Sequence, residues 1–149
     1  MVIPMITYAG AIIINEKYEV LFVYSDNMWD FPCDLVKEGE SLKQAALRAS
    51  VEKTNIDPAN IRILREMPPT LDMEGGTIIN TKLFICEYDT NPAYILHADF
   101  ERFGIFESKW FCMSALPTYS TSISNKYIIN FLSKLFSRTP ILCKPVVKS

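Results

Sequence analysis

The stretch DLVKEGESLKQAALRASVEKTNI, Asp34 to Ile56, decides how this chain folds. Within it, Ser41 and Gln44 have the spacing of a capping box, in which each side chain accepts a hydrogen bond from a backbone N–H left over at a helix start. Asn55 stands where a left-handed residue closes a helix, and Pro58 blocks its continuation. The spacing therefore predicts a helix from Ser41 to Asn55, entered through the loop WDFPCDLVKEGES.

Strands are expected on both sides of that helix. YAGAIIIN (Tyr8 to Asn15) and EVLFVY (Glu19 to Tyr24) are β-branched and aromatic runs divided by the polar turn EKY, which reads as a buried strand pair. IRILREM alternates from Ile61, and TIINTKLFICEY follows the turn EGG from Thr77, which predicts a second antiparallel pairing. GIFESKWFCM supplies a strand ending near Met113. A second helix is predicted from about Asn125 to Phe136, with Ile128, Phe131, Leu132, Leu135 and Phe136 on one stripe and Lys126, Asn130 and Lys134 away from it.

With 149 residues, 49% of them hydrophobic, the chain suits one domain with a real core. Its net charge of -2 conceals a segregation, because the charged residues after Ser108 are Lys109, Lys126, Lys134, Arg138, Lys144 and Lys148, with no acid among them. Cys33, Cys86, Cys112 and Cys143 form no C-x-x-C pair, and His97 is the single histidine, so a zinc site is excluded and reduced intracellular thiols are expected. The apolar opening MVIPMITYAGAIIIN has no basic leader, contains Pro4 and is too short to span a bilayer, so no export or membrane anchoring is expected. A cytoplasmic protein fits these features.

Residues 34–56 resemble the Nudix box, G-x5-E-x7-R-E-U-x-E-E-x-G-U with U aliphatic. Glu40 matches the first Glu, Arg48 the Arg, Glu52 the first Glu of the pair and Ile56 the last aliphatic position. Within that family the chain is similar to the messenger-RNA-decapping branch: GAIIINEKYEVLFV resembles its first hairpin, WDFP its approach to the box, TKLFICEY its middle strand and ESKWFCMSALPT its late strand. The final helix corresponds there to part of a basic RNA-binding surface. The resemblance implies an α/β/α Nudix sandwich over residues 1–136, with a small mixed sheet, the box helix on one face and the final helix on another. Residues 137–149, SRTPILCKPVVKS, are a basic, proline-containing tail expected to order only on contact.

The same resemblance implies hydrolysis of a phosphoanhydride, which needs divalent ions to neutralise phosphate charge and activate water. Magnesium wants several oxygen ligands, and the family's helix offers them on one face at three positions that here are Ala49, Glu52 and Lys53. A divalent ion about 5 Å from the Lys53 ammonium is repelled by roughly 6 kcal/mol at an effective dielectric near 20. That is on the order of a ten-thousandfold loss of affinity. The box glycines are replaced by Asp34 and Asn55, and the late loop where the decapping enzyme presents another Glu reads Gly104, with Glu101 and Glu107 nearby.

Each residue also has a plain structural reading. Glu52 is a surviving ligand or an i, i+4 partner of Arg48. Lys53 holds a phosphate or is a solvated lysine. Trp29, Tyr24 and Phe31 stack a base or belong to the core, and His97 is a loop residue. Lys126, Lys134 and Arg138, with Lys144 and Lys148 of the tail, form an RNA-contacting stripe or a solvated face.

The leading expectation is a catalytically inactive Nudix-fold protein without a metal cofactor. It binds RNA or an RNA-containing particle such as a ribosome, with a nucleotide possible in the old cleft. The alternatives are an active, magnesium-dependent pyrophosphohydrolase using Glu40, Glu52 and an acid from the Glu101–Glu107 region, or a nucleotide sensor without turnover.

Overall fold

In a computed structural model, residues 2–89, 107–117, 121 and 123–136 are described. Their strands are β1 (Met5–Asn15), β2 (Glu19–Ser25), β3 (Met28–Asp30), β4 (Cys33–Leu35), β5 (Ile61–Glu66), β6 (Thr70–Glu74), β7 (Thr77–Tyr88) and β8 (Glu107–Cys112). The helices are α1 (Leu42–Thr54) and α2 (Ile123–Phe136). The main path through the mixed sheet is β3-β2-β1-β7-β5, with β4 paired to β1, β6 to β7 and β8 to β2. These eight strands make a larger sheet than the sequence led us to expect.

The frame is the parallel pair β1 and β7, in register from Met5 opposite Ile78 to Asn15 opposite Tyr88. Period-two alternation divides its side chains between two faces. Ile12, Ile14, Leu83 and Ile85 meet Phe22, Phe111 and the α2 residues Ile128, Ile129 and Leu132 in one core. Ala9, Ala11, Ile13, Phe84, Cys86 and Tyr88 meet Ala45 and Ala46 of α1 in the other. The chain thus forms the expected α/β sandwich. Fully burying a side chain such as Phe22 or Phe84 contributes up to about 3 kcal/mol, so the two cores define the register of every central strand.

Several details depart from the sequence-based expectations. The stretch WDFPCDLVKEGES is not all loop, because β3 and β4 flank Phe31 and Pro32. A side chain is excluded where β4 pairs with β1: a Cβ on Gly10 would stand 2.4 Å from both Cys33 Cβ and Pro32 O. In α2 the buried face is Asn125, Ile128, Ile129 and Leu132, whereas Phe131 is 36% exposed with the Arg65 guanidinium 5.9 Å from its ring centre. Leu135 and Phe136 lie outside the residues whose side chains are described. So do His97, Glu101, Gly104, Glu107, Cys143 and the whole tail, Arg138, Lys144 and Lys148 included.

Candidate functional site

The box helix begins as its sequence dictates. Ser41 Oγ accepts from the Gln44 amide at 3.1 Å, and Gln44 Oε1 accepts from the Ser41 amide at 2.8 Å. Asn55 closes the helix in the left-handed region at φ 56°. On the inner face Ser50 Oγ and Thr54 Oγ1 donate to the carbonyls four residues earlier, so these buried polar groups are satisfied.

Arg48 is the hub of the site. Its Nε donates to Glu40 Oε2 at 2.8 Å, and its terminal nitrogens donate to Glu40 Oε1 at 3.0 Å, Asp34 Oδ2 at 2.8 Å and the Leu35 carbonyl at 2.8 Å. Glu52 approaches one turn along the helix at 3.5 Å, the i, i+4 partnership expected from the spacing. This cluster joins α1 to β4 and to the loop before the helix. The hydrogen bond from Arg48, supported by the Lys37 amide, pushes the Glu40 carboxyl down to about 2. Burial alone would raise Asp34, but hydrogen bonds from Arg48 and the Leu35 amide, together with the Lys53 charge, bring it below the usual range. The bonds to Glu40, then to Asp34, push Arg48 above its already high value.

Asp34 is the partner that sequence reasoning missed as such. Its signal was an acid at the box's first glycine position, within reach of the Arg48–Glu40 pair once the loop folds back. A second group went unnoticed at the end of β3. Asp30 Oδ1 accepts from Asn125 Nδ2 at 2.7 Å and from the Phe31 amide at 2.8 Å. Burial raises the Asp30 carboxyl, while those two bonds and the charge of Lys53 oppose the rise. Burial likewise pushes the Cys33 thiol up, so it stays protonated. Asp30, Asp72, Cys33 and Asn125 line a cavity of about 130 Å³ with Thr70, Thr81 and Leu83. A larger depression of about 360 Å³ lies away from the box, against Ile14, Tyr18 and Ile85.

The other sequence candidates fall in different places. Trp29 is 7% exposed and belongs to the core, with Tyr24 and Phe111 ring centres 4.9 Å and 4.8 Å away. Phe31 is buried beside Phe22. Lys126 and Lys134 are exposed on α2. Cys33, Cys86 and Cys112 are thiols without disulfides.

The donor set can be tested for a divalent ion. Ala49 is fully buried and offers a methyl group. Both Glu40 oxygens already accept N–H groups, and each Asp34 oxygen accepts one, from the Leu35 amide and from Arg48. Lys53 brings a positive charge. Among the described residues no three His, Cys, Asp or Glu side chains converge as a metal would require. The described box residues do not fit a divalent ion.

A NUDIX domain matches residues 6–131, the span that carries this sheet, the box helix and most of α2. The chain belongs to the Nudix family. It is 30% identical over 109 residues to Nudix hydrolase 5 of Arabidopsis thaliana, covering 68% of this chain and 34% of that protein. An RNA pyrophosphohydrolase of Pasteurella multocida is 35% identical over 57 residues, covering 37% of this chain and 29% of that protein. The chain thus spans about a third of the length of the curated relatives it matches. Among solved structures, a C. elegans Ap4A hydrolase in a binary complex shares the fold with a TM-score of 0.74 at 18% identity, covering 89% of this chain and 98% of that one. A MutT protein from Methanosarcina mazei Go1 does so with a TM-score of 0.67, again at 18% identity, over 91% and 97%.

Proposed function

We propose that this Nudix-family chain is a degenerate member that binds RNA, or a particle containing it, without hydrolysing it through the box helix. The observation that carries the reading is the buried methyl of Ala49 beside an Arg48 cluster whose carboxylate oxygens already accept N–H groups. Activation of water in this fold needs a polarising cation, and these groups have little left to offer one. Affinity would come from the acid-free last part of the sequence. Lys126 and Lys134 are exposed on α2, and Tyr127 between them is 72% exposed. Lysines beside an open ring suit phosphate contact with base stacking, an attraction largely blind to sequence and steeply dependent on salt. The similarity to an RNA pyrophosphohydrolase over 57 residues supports the same ligand class. No helix among the described residues is long and apolar enough to cross a membrane.

Labelled single-stranded RNA titrated with the full chain tests this by fluorescence anisotropy. Binding that weakens on a log–log plot as salt rises, by about one phosphate contact per lysine involved, is the expected result. Affinity indifferent to salt refutes it.

A second reading is a metal-dependent pyrophosphohydrolase acting on capped RNA or a nucleotide. The matched relatives are named as hydrolases, which favours this reading more directly than the first, and Glu40, Arg48 and Glu52 keep their box positions. Incubation of capped RNA with magnesium or manganese decides it. Release of a cap nucleotide that disappears in Glu52→Gln establishes turnover and displaces the first reading.

A further inference from the structure

We infer that residues 137–149, which lie outside the described residues, fold back onto the α2 face of the sheet and seat Ile141 and Leu142 in the depression of about 360 Å³ at β1, β5 and β7. The depression is largely aliphatic. Ile14 and Ile85, which belong to the core under α2, line it together with Tyr18 and Leu64. Leu64 shows that something else belongs there. The register of β5 against β7 shifts between Ile63 and Arg65, so Leu64 is the extra residue of a bulge, and it lines the depression while 54% exposed. Bulges re-aim side chains, and this one turns a leucine away from both cores toward an open apolar space.

The end of α2 brings this segment to the depression. Its Phe131 ring centre lies 5.9 Å from the guanidinium of Arg65, the chain neighbour of Leu64. From there the helix advances about 7.5 Å to Phe136, where α2 ends. Residues 137–140 then add up to about 13 Å of reach before Ile141, ample to turn back over β5. Charge selects the same segment. Glu87, at the depression, is answered by Arg62 at 2.6 Å. Glu16, also at the depression, has its carboxyl hydrogen-bonded to that of Asp89, which raises it above the ordinary range. Two acids held side by side gain from an added cation, and residues 137–149 offer Arg138, Lys144 and Lys148 with no acid among them. Exposed charges contribute little alone, so the aliphatic fit supplies most of the affinity. This docking is independent of RNA binding through Lys126 and Lys134, neither of which lines the depression.

Alkylation of Cys143, the chain neighbour of Leu142, tests the docking on the full chain, with peptide mass spectrometry to separate it from the other cysteines. Iodoacetamide should modify Cys143 more slowly in the folded chain than in a synthetic peptide of residues 137–149. Leu64→Asp should speed the reaction in the folded chain by roughly tenfold or more, as loss of a buried aliphatic contact implies. Leu64 is exposed, so that variant should fold; Leu142→Ser, which leaves the sheet and helices untouched, should act in the same direction. Methyl NMR should show cross-relaxation between Leu142 and Ile85. Cys143 that reacts as fast in the chain as in the peptide overturns the inference, as does protection that survives both substitutions or absence of the Leu142–Ile85 signal. Protection that disappears on dilution would seat the segment of a second copy there and overturn it too. A chain that fails to bind RNA leaves these rates standing, so the two ideas fail separately.

Discussion

Replacing Arg48 by Met removes the hub while keeping helix propensity and most of the buried volume. The Arg48 side chain is 16% exposed and donates to Asp34, Glu40 and the Leu35 carbonyl at 2.8–3.0 Å. Breaking a buried ion pair costs about 3–5 kcal/mol, and the 31% exposure of Asp34 lets water recover part of that. A loss of about 2–3 kcal/mol is expected for the variant, or roughly 5–10 °C in melting temperature for a domain of this size. The pH dependence gives a sharper signature. Glu40 is held near 2, below an ordinary value of 4.5, and Asp34 is shifted in the same direction. A depressed carboxyl contributes stability that is fully present above the unfolded value and is lost as pH falls through the folded one. The gap between wild type and Arg48→Met should therefore be complete at neutral pH and shrink between about 4.5 and about 2. Urea unfolding followed by circular dichroism at several pH values measures it. A gap that stays constant across that acidic window would show that Arg48 acts by packing alone, and the electrostatic account of the cluster would be wrong.

Two further perturbations probe the frame around the site. Gly10→Ala places a methyl 2.4 Å from Cys33 Cβ and Pro32 O, so β4 must move off β1; a loss of about 3 kcal/mol or more is expected in urea unfolding, and a neutral result would mean the chain does not approach Gly10 this closely. Asn125→Ala removes the 2.7 Å bond to Asp30 at a cost of about 1–3 kcal/mol. Because that bond lowers the Asp30 carboxyl, its titration followed by carbon NMR should move upward in the variant, and an unmoved titration would disconnect α2 from β3.

What the sequence disclosed was mostly local. The capping pair Ser41 and Gln44 and the left-handed Asn55 are decided by residues within one turn of each other, and all three stand where the spacing puts them. β1, β2, β5 and β7 follow from runs of branched and aromatic residues. β3, β4 and β6 escaped detection because such short segments scarcely show a period; they exist through pairing with β2, β1 and β7, and the EGG turn joins β6, not β5, to β7. The parallel register of β1 with β7 joins residues more than seventy positions apart, which no local pattern encodes. In α2 the apolar positions cover more than one stripe, and only packing against the sheet shows that Ile128, Ile129 and Leu132 face the core while Phe131 lies beside Arg65 at the surface. At the site, the Arg48–Glu52 spacing was legible, whereas Asp34 beside Arg48 and Asn125 beside Asp30 depend on how the chain returns.

The pattern of retained and replaced box positions carries its own argument. Glu40 and Arg48 bond to each other and to the backbone around the helix, and Ile56 is 2% exposed in the core; each would be kept for folding alone. Ala49 and Lys53 stand where the box carries Glu, and neither takes part in those bonds among the described contacts. Glu52 is the exception. Its contact with Arg48, at 3.5 Å, is the weakest of the cluster and its side chain is 28% exposed, so folding gives only a slight reason for an acid there. A surviving acid with little structural role is the feature that most favours residual chemistry. Glu52→Gln is therefore the informative substitution: a change in turnover or manganese binding without a change in stability would assign Glu52 to function, and a small loss of stability alone would assign it to the Arg48 cluster.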